Sequence, residues 1–84
     1  MTKDQVFSVL KKYIMEQLED EVEEKDIVMT KSMVDLGANS LDIVEIVSNT
    51  MRELKIKIPR DELAKINTMD GLVARMAEYT NTNA

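Results

Sequence analysis

The chain has no cysteine and no histidine, and those two absences remove more chemistry than any single residue present supplies. Without cysteine there is no thiolate nucleophile and no disulfide framework. Without histidine the usual general base at neutral pH is gone, and without either, most transition-metal sites lose their ligands. Catalysis by the polypeptide alone is therefore not expected. Tryptophan is missing, and the chain has only two glycines and one proline, which leaves few places where a helix is forced to stop. No apolar run approaches the roughly 20 residues of a membrane span. The opening residues Met1-Thr2-Lys3-Asp4-Gln5 lack the basic-then-apolar layout of a secretory leader, so a cytoplasmic protein is expected.

What the chain does contain is 84 residues that are 44% hydrophobic and 32% charged, a balance that argues for a folded, mostly helical chain rather than a disordered one. That length supports one domain over residues 1–84 with a core of limited depth. Seven methionines supply unbranched, adaptable filler for such a core. Sixteen acids against eleven bases give a net charge of -5. This opposes binding to nucleic acid or an anionic membrane and favours partners with basic surfaces. Nothing in the pattern looks like a long self-association seam, and a monomer is expected.

Thr2 and Gln5 have the spacing of a capping box, and Phe7, Leu10, Ile14 and Leu18 follow at helical intervals, which predicts a helix over 3–18. Glu19, Asp20, Glu21, Glu23, Glu24 and Asp26 come next, a run whose mutual repulsion discourages further helix. A calcium loop starting at Asp20 would put Val22 at the third ligand position and Lys25 where the invariant glycine belongs, so the run reads as a solvated loop instead. From there to Gly37 the scattered residues Ile27, Val28, Met33, Val34 and Leu36 predict a long ordered loop pinned by them; a loop of that length in a small protein is usually either functional or wrongly assigned.

A second helix is expected from Asn39 or Ser40 to about Leu54. Ile43, Ile46, Val47, Thr50 and Leu54 share one face. Leu41, Val44, Ser48 and Met51 share a neighbouring face beside Asp42, Glu45 and Arg52. The second apolar set is either a widened core stripe or a surface that meets another protein. Ile56, Ile58 and Pro59 form an extended link, since proline disfavours helix in the residue before it. About one helical turn fits over 61–65. Thr68 then caps a last helix through Tyr79 with Leu72, Val73, Met76 and Ala77 inward, and Thr80 to Ala84 form a tail expected to fray. The fold class expected is all-α: a small four-helix bundle with a long loop between the first two helices and a short third helix.

The stretch LGANSLDIVEIV, residues 36–47, is the most distinctive in the chain. By pattern alone Ser40 fits a helix N-cap, for which serine and asparagine are preferred. It also fits an attachment point, because unsatisfied N–H groups and the positive end of the helix dipole favour a phosphoester there.

Asp35-Leu36-Gly37-Ala38-Asn39-Ser40-Leu41-Asp42, followed by Val44-Glu45, resembles the 4'-phosphopantetheine attachment motif of acyl carrier proteins. The resemblance covers nearly the whole chain, including Ile58-Pro59 after the second helix and Ile66-Asn67-Thr68 before the last. It implies that Ser40 accepts 4'-phosphopantetheine from coenzyme A, with Gly37 and Asn39 beside it and Gly37 and Ala38 keeping the approach uncrowded. It also implies that Leu41, Asp42, Val44, Glu45, Ser48 and Met51 line the side that partners touch. The partners implied are a phosphopantetheinyl transferase, then an acyltransferase, a ketosynthase or other pathway enzymes with basic docking surfaces. The chain would be a carrier rather than an enzyme, holding acyl intermediates as thioesters.

Two departures bear on the pathway. The family most often has aspartate before the serine, where this chain has Asn39, a change that discrete carriers of bacterial polyketide pathways tolerate. Met51 and Arg52 stand where fatty-acid carriers usually have acids. The expectation is therefore a free-standing polyketide-pathway carrier, with fatty acid biosynthesis second. The rivals are an aminoacyl carrier and a helical adaptor that binds through Leu41, Val44 and Met51 with Ser40 only a cap.

Overall fold

A computed structural model describes residues 2–19, 22–66 and 68–82, with residues 81 and 82 described by backbone alone. Helix α1 spans Lys3–Gln17. It starts where Thr2 Oγ1 accepts from the Gln5 N–H at 3.2 Å and Gln5 Oε1 accepts from the Thr2 N–H at 2.8 Å, the capping box expected from the sequence. Its inward stripe is Val6, Leu10 and Ile14, continued by Leu18 just past the helix. That is a strict four-residue spacing, one side chain above the next. Phe7, expected inside, is only half-buried; its ring lies 5.0 Å from the Lys11 ammonium instead.

The connection to the second helix is ordered by two single 3₁₀ turns, Glu24–Asp26 and Val34–Leu36. Val22, Ile27, Leu36 and Ala38 are buried along it. Val28 and Val34 were expected to pin this loop, but they stand 40% and 65% exposed, and Ile27 before the one and Leu36 two residues after the other take the buried positions. Main-chain bonds fasten the loop to the end of the chain: the Met69 N–H donates to the Lys31 carbonyl at 3.0 Å and the Asp70 N–H to the Met29 carbonyl at 2.9 Å. These satisfy first-turn donors that a helix leaves unpaired.

Helix α2 spans Ser40–Leu54, α3 Arg60–Leu63 and α4 Met69–Thr82. Helix α1 packs against both α2 and α4, and one buried cluster takes Ile46 and Val47 from α2, Ile56 and Ile58 from the link, and Leu72, Val73, Met76 and Ala77 from α4. Met69 joins it almost fully buried. Helix α4 runs past its expected end at Tyr79; residues 80–82 continue it rather than forming part of a frayed tail, since no glycine or proline interrupts it there. Asn83 and Ala84 lie outside the described residues, as do Asp20, Glu21 and Asn67.

Helix α2 ends in a Schellman-type arrangement. The Ile56 N–H reaches the Met51 carbonyl at 3.0 Å and the Lys55 N–H the Arg52 carbonyl at 3.3 Å, with Lys55 left-handed at φ 58. The one buried polar side chain among the described residues, Thr50, donates to the Ile46 carbonyl at 2.7 Å.

Two polar clamps tie the helices together at the surface. Glu53 on α2 accepts from Lys12 Nζ and, at 2.6 Å, from the Tyr13 hydroxyl, both on α1. Those donors hold its carboxyl below the usual range, and Glu53 in turn raises Lys12 and Tyr13. Glu62 on α3 accepts from the Tyr79 hydroxyl and from Arg75, both on α4. Tyr79 and then Arg75 lower it, while Glu62 raises both.

These shifts set a pH profile. The glutamates titrate lower when folded, so their contribution is present above the ordinary carboxylate range and is lost as pH falls through their folded values. Lys12, Tyr13, Tyr79 and Arg75 titrate higher when folded, so theirs is lost as pH rises through the raised values. Urea midpoints should be flat across neutral pH and fall at both ends, with a shallower acid limb in the Glu53→Gln/Glu62→Gln double variant. An unchanged acid limb would move the effect to other groups. Separately, Lys55→Gly should stabilise by roughly 0.5 kcal/mol, the relief of a left-handed residue less the added freedom of the unfolded chain.

Candidate functional site

The approach to Ser40 is built by short-range bonds. Ser32 and Asp35 exchange bonds, the Ser32 N–H donating to Asp35 Oδ2 at 3.1 Å and the Asp35 N–H to Ser32 Oγ at 3.2 Å. The turn Val34–Leu36 follows, and the Ala38 N–H closes it on the Met33 carbonyl at 3.1 Å. Gly37 has φ 96, a conformation that penalises any residue with a Cβ. Leu36 and Ala38 are buried on either side of it, so Ala38 anchors the turn to the core instead of simply leaving room beside Ser40.

The cap of α2 is Asn39. Its Oδ1 accepts from the Asp42 N–H at 2.9 Å, and Asp42 Oδ2 accepts from the Asn39 N–H at 3.2 Å, a reciprocal box that occupies the capping role. Ser40 is thereby the first residue of the helix, exposed, and its hydroxyl has no hydrogen-bond partner among the described residues. Of the two roles that sequence pattern left open for Ser40, capping has gone to its neighbour.

Asp42 has a place in the fold that its expected docking role did not include. Besides the bond to Asn39, its Oδ1 accepts from Gln17 Nε2 at 2.9 Å, so both oxygens are engaged within the fold and α1 is tied to the start of α2. Gln17 was missed by sequence reasoning, since a pairing across twenty-five residues leaves no periodic trace. Leu41 and Val44 are 77% and 56% exposed, and Glu45 is exposed with them. Ser48 and Met51 are half-buried and face a cleft instead of the open surface.

That cleft, about 740 Å³, begins at Ser40 and runs between α2, the link, α3 and the start of α4. Ile43, Val47, Leu63 and Leu72 form much of its wall, with Met33, Met51 and Met69 among them. Its far-chain half was not legible as a site, because Leu63 and Met69 carry no pattern that sets them apart and Leu72 reads as ordinary core. Among the described residues no acidic group has the grouping a metal ion needs, and no helix is long and apolar enough to cross a membrane.

The family model described as the phosphopantetheine attachment site matches residues 8–76. The chain is similar to an acyl carrier protein of Wolinella succinogenes, 37% identical over 81 residues that cover 93% of this chain and 96% of that protein. It is also similar to acyl carrier proteins of Clostridium perfringens strains, 36% identical over 76 residues covering 89% of this chain and 97% of theirs.

The two neighbouring residues should behave oppositely. Asn39→Ala should lower unfolding free energy by about 1 kcal/mol, whereas Ser40→Ala should leave it within a few tenths. Equal losses in urea titrations would mean that Ser40 shares the capping work.

Proposed function

The chain belongs to the acyl carrier protein family, and from that premise we propose that Ser40 is the residue to which its 4'-phosphopantetheine is joined. A member of this family is a carrier on which partner enzymes act, not an enzyme, and its cofactor is covalent 4'-phosphopantetheine. The observation that carries the assignment is the transfer of capping to Asn39, which leaves an exposed hydroxyl without a partner among the described residues on the first turn of a fifteen-residue helix.

The surrounding residues fit the group. The N–H groups and dipole of the first turn favour a phosphoester. Gly37 sets the sharp entry to the helix, and the apolar cleft that starts at Ser40 offers cover to a chain extending from it. When joined, the group supplies the thiol on which acyl cargo rides as a thioester. The protein's own part is to hold the serine out for a transferase that uses coenzyme A, and then to bring cargo at high local concentration to one docked enzyme after another.

Leu41 and Val44, with Glu45 beside them, form the surface for a transferase and for biosynthetic enzymes with basic faces. Apolar contact gives the affinity and the acid speeds encounter. Asp42 serves this surface indirectly, by fixing the helix start. A polyketide pathway is favoured over fatty acid synthesis because Met51 and Arg52 stand where fatty-acid carriers usually have acids.

Incubation with coenzyme A and a broad-specificity phosphopantetheinyl transferase should add the mass of one phosphopantetheine to the wild type and none to a folded Ser40→Ala variant. A wild type of unchanged mass would remove the assignment. Glu45→Lys should shift stability by only about 0.5 kcal/mol while lowering kcat/KM of transfer several-fold at low salt; kinetics equal to wild type would take Glu45 out of the docking surface.

A further inference from the structure

The cleft beside Ser40 is apolar for most of its length, yet among the described residues that line it two are charged, Lys57 and Arg60, and both are cations. In a chain of net charge -5 that is an unexpected place for positive charge. Lys3, Lys11, Lys12, Lys25 and Arg75 each meet an acid: Asp70, Glu24, Glu53, Glu23 and Glu62. Lys57 and Arg60, like Lys31, Arg52, Lys55 and Lys65, make no ion pair among the described residues; what sets these two apart is that they line the cleft. Of the acids next to Arg60 on α3, Glu62 is taken by Arg75 and Tyr79, and neither Glu62 nor the exposed Asp61 lines the cleft.

Their placement follows from the fold. Ile56 and Ile58 are buried, so the extended link alternates inward and outward and Lys57 is turned out between them. Pro59 precedes α3, whose first residue is Arg60. Both side chains have long apolar stems that can lie along the cleft wall and end in a charge. A guanidinium and an ammonium beside an apolar channel match a ligand with an apolar body and an anionic end, the guanidinium binding a carboxylate through two parallel bonds. A plain hydrocarbon chain would gain nothing from them.

We propose that this cleft takes acyl cargo of medium length ending in an anionic group, a carboxylate in the first place, which Lys57 and Arg60 hold while the chain lies against Ile43, Val47 and Met51. The inference rests on Ser40 as the attachment point. A second source of the same anionic chemistry is the phosphate next to Ser40 itself, and the experiment separates the two.

The protein is loaded by a broad-specificity transferase from coenzyme A, hexanoyl coenzyme A or adipyl coenzyme A, and loading is read by mass. Methyl NMR signals of Met33, Met51 and Met69, which line the cleft, report occupancy. Chemical attack by hydroxylamine, which releases the acyl group and leaves the thiol, reports shielding. The adipyl form should be released roughly two- to fivefold more slowly than the hexanoyl form, the range that exposed ion pairs supply. High salt or a Lys57→Gln/Arg60→Gln variant should erase that difference and shift the adipyl-form methionine signals, leaving those of the hexanoyl form unchanged. Lys57→Gln and Arg60→Gln singly, each with the wild-type thermal midpoint, should give intermediate release rates. Equal release of adipyl and hexanoyl groups in the wild type would overturn the inference. So would a double variant that disturbs the unacylated and hexanoyl forms as much as the adipyl form, since the cations would then be holding the phosphate. A protein that gains no mass at all would overturn the Ser40 assignment along with it, whereas failure after successful loading would touch the cargo inference alone.

Discussion

Two hydrogen bonds between Asn39 and Asp42 decide what Ser40 can do. A helix start needs acceptors for its first donors, and serine is among the residues best suited to supply one. By placing that duty on Asn39, with Asp42 reaching back, the fold leaves the next hydroxyl uncommitted. Gln17 then bonds to the other oxygen of Asp42, so the orientation of the helix start is registered against α1. The serine's freedom thus depends on a small network that fixes everything around it.

The acids of this chain divide by what they touch. Asp42, Glu53 and Glu62 bond to neighbouring helices or caps, where they fix relative positions. Glu45 is left to solvent, where it can meet a partner. The same division applies to the apolar residues of α2: Ile46 and Val47 are buried, Ile43 and Met51 line the cleft, and Leu41 and Val44 are exposed. One helix therefore serves the core, the cleft and the outer surface through successive faces, and its position between α1 and α3 determines which face does which.

Local patterns carried most of the fold in advance. The capping box at Thr2, the start of α2 at Asn39 or Ser40, the short α3 after Pro59 and the inward stripe of α4 are all set by residues within a few positions of one another, and such signals survive in a single sequence. The failures are tertiary. Whether Phe7 or Val6 points inward depends on where α2 and α4 lie, and Val28 and Val34 are as apolar as the buried Ile27 and Leu36 beside them. At the site, the motif around Ser40 was legible, along with its exposed neighbours Leu41, Val44 and Glu45. That Asp42 is bonded inward could not be read, because its partner Gln17 lies far away in the chain. The cleft was invisible for the same reason: it draws Met33, Leu63 and Leu72 from three separate elements, and no pattern within one element shows that they meet.

The carbonyls of Met29 and Lys31 receive the first N–H groups of α4, and this contact reaches beyond the loop itself. The segment that leads to the serine and the helix that ends the described chain share the same bonds, so neither can open without exposing polar groups of the other. They should behave as one cooperative unit in native-state exchange. Order at Ser40 is then underwritten by residues that come thirty positions after it, and loosening the last helix would be felt first at the start of α2.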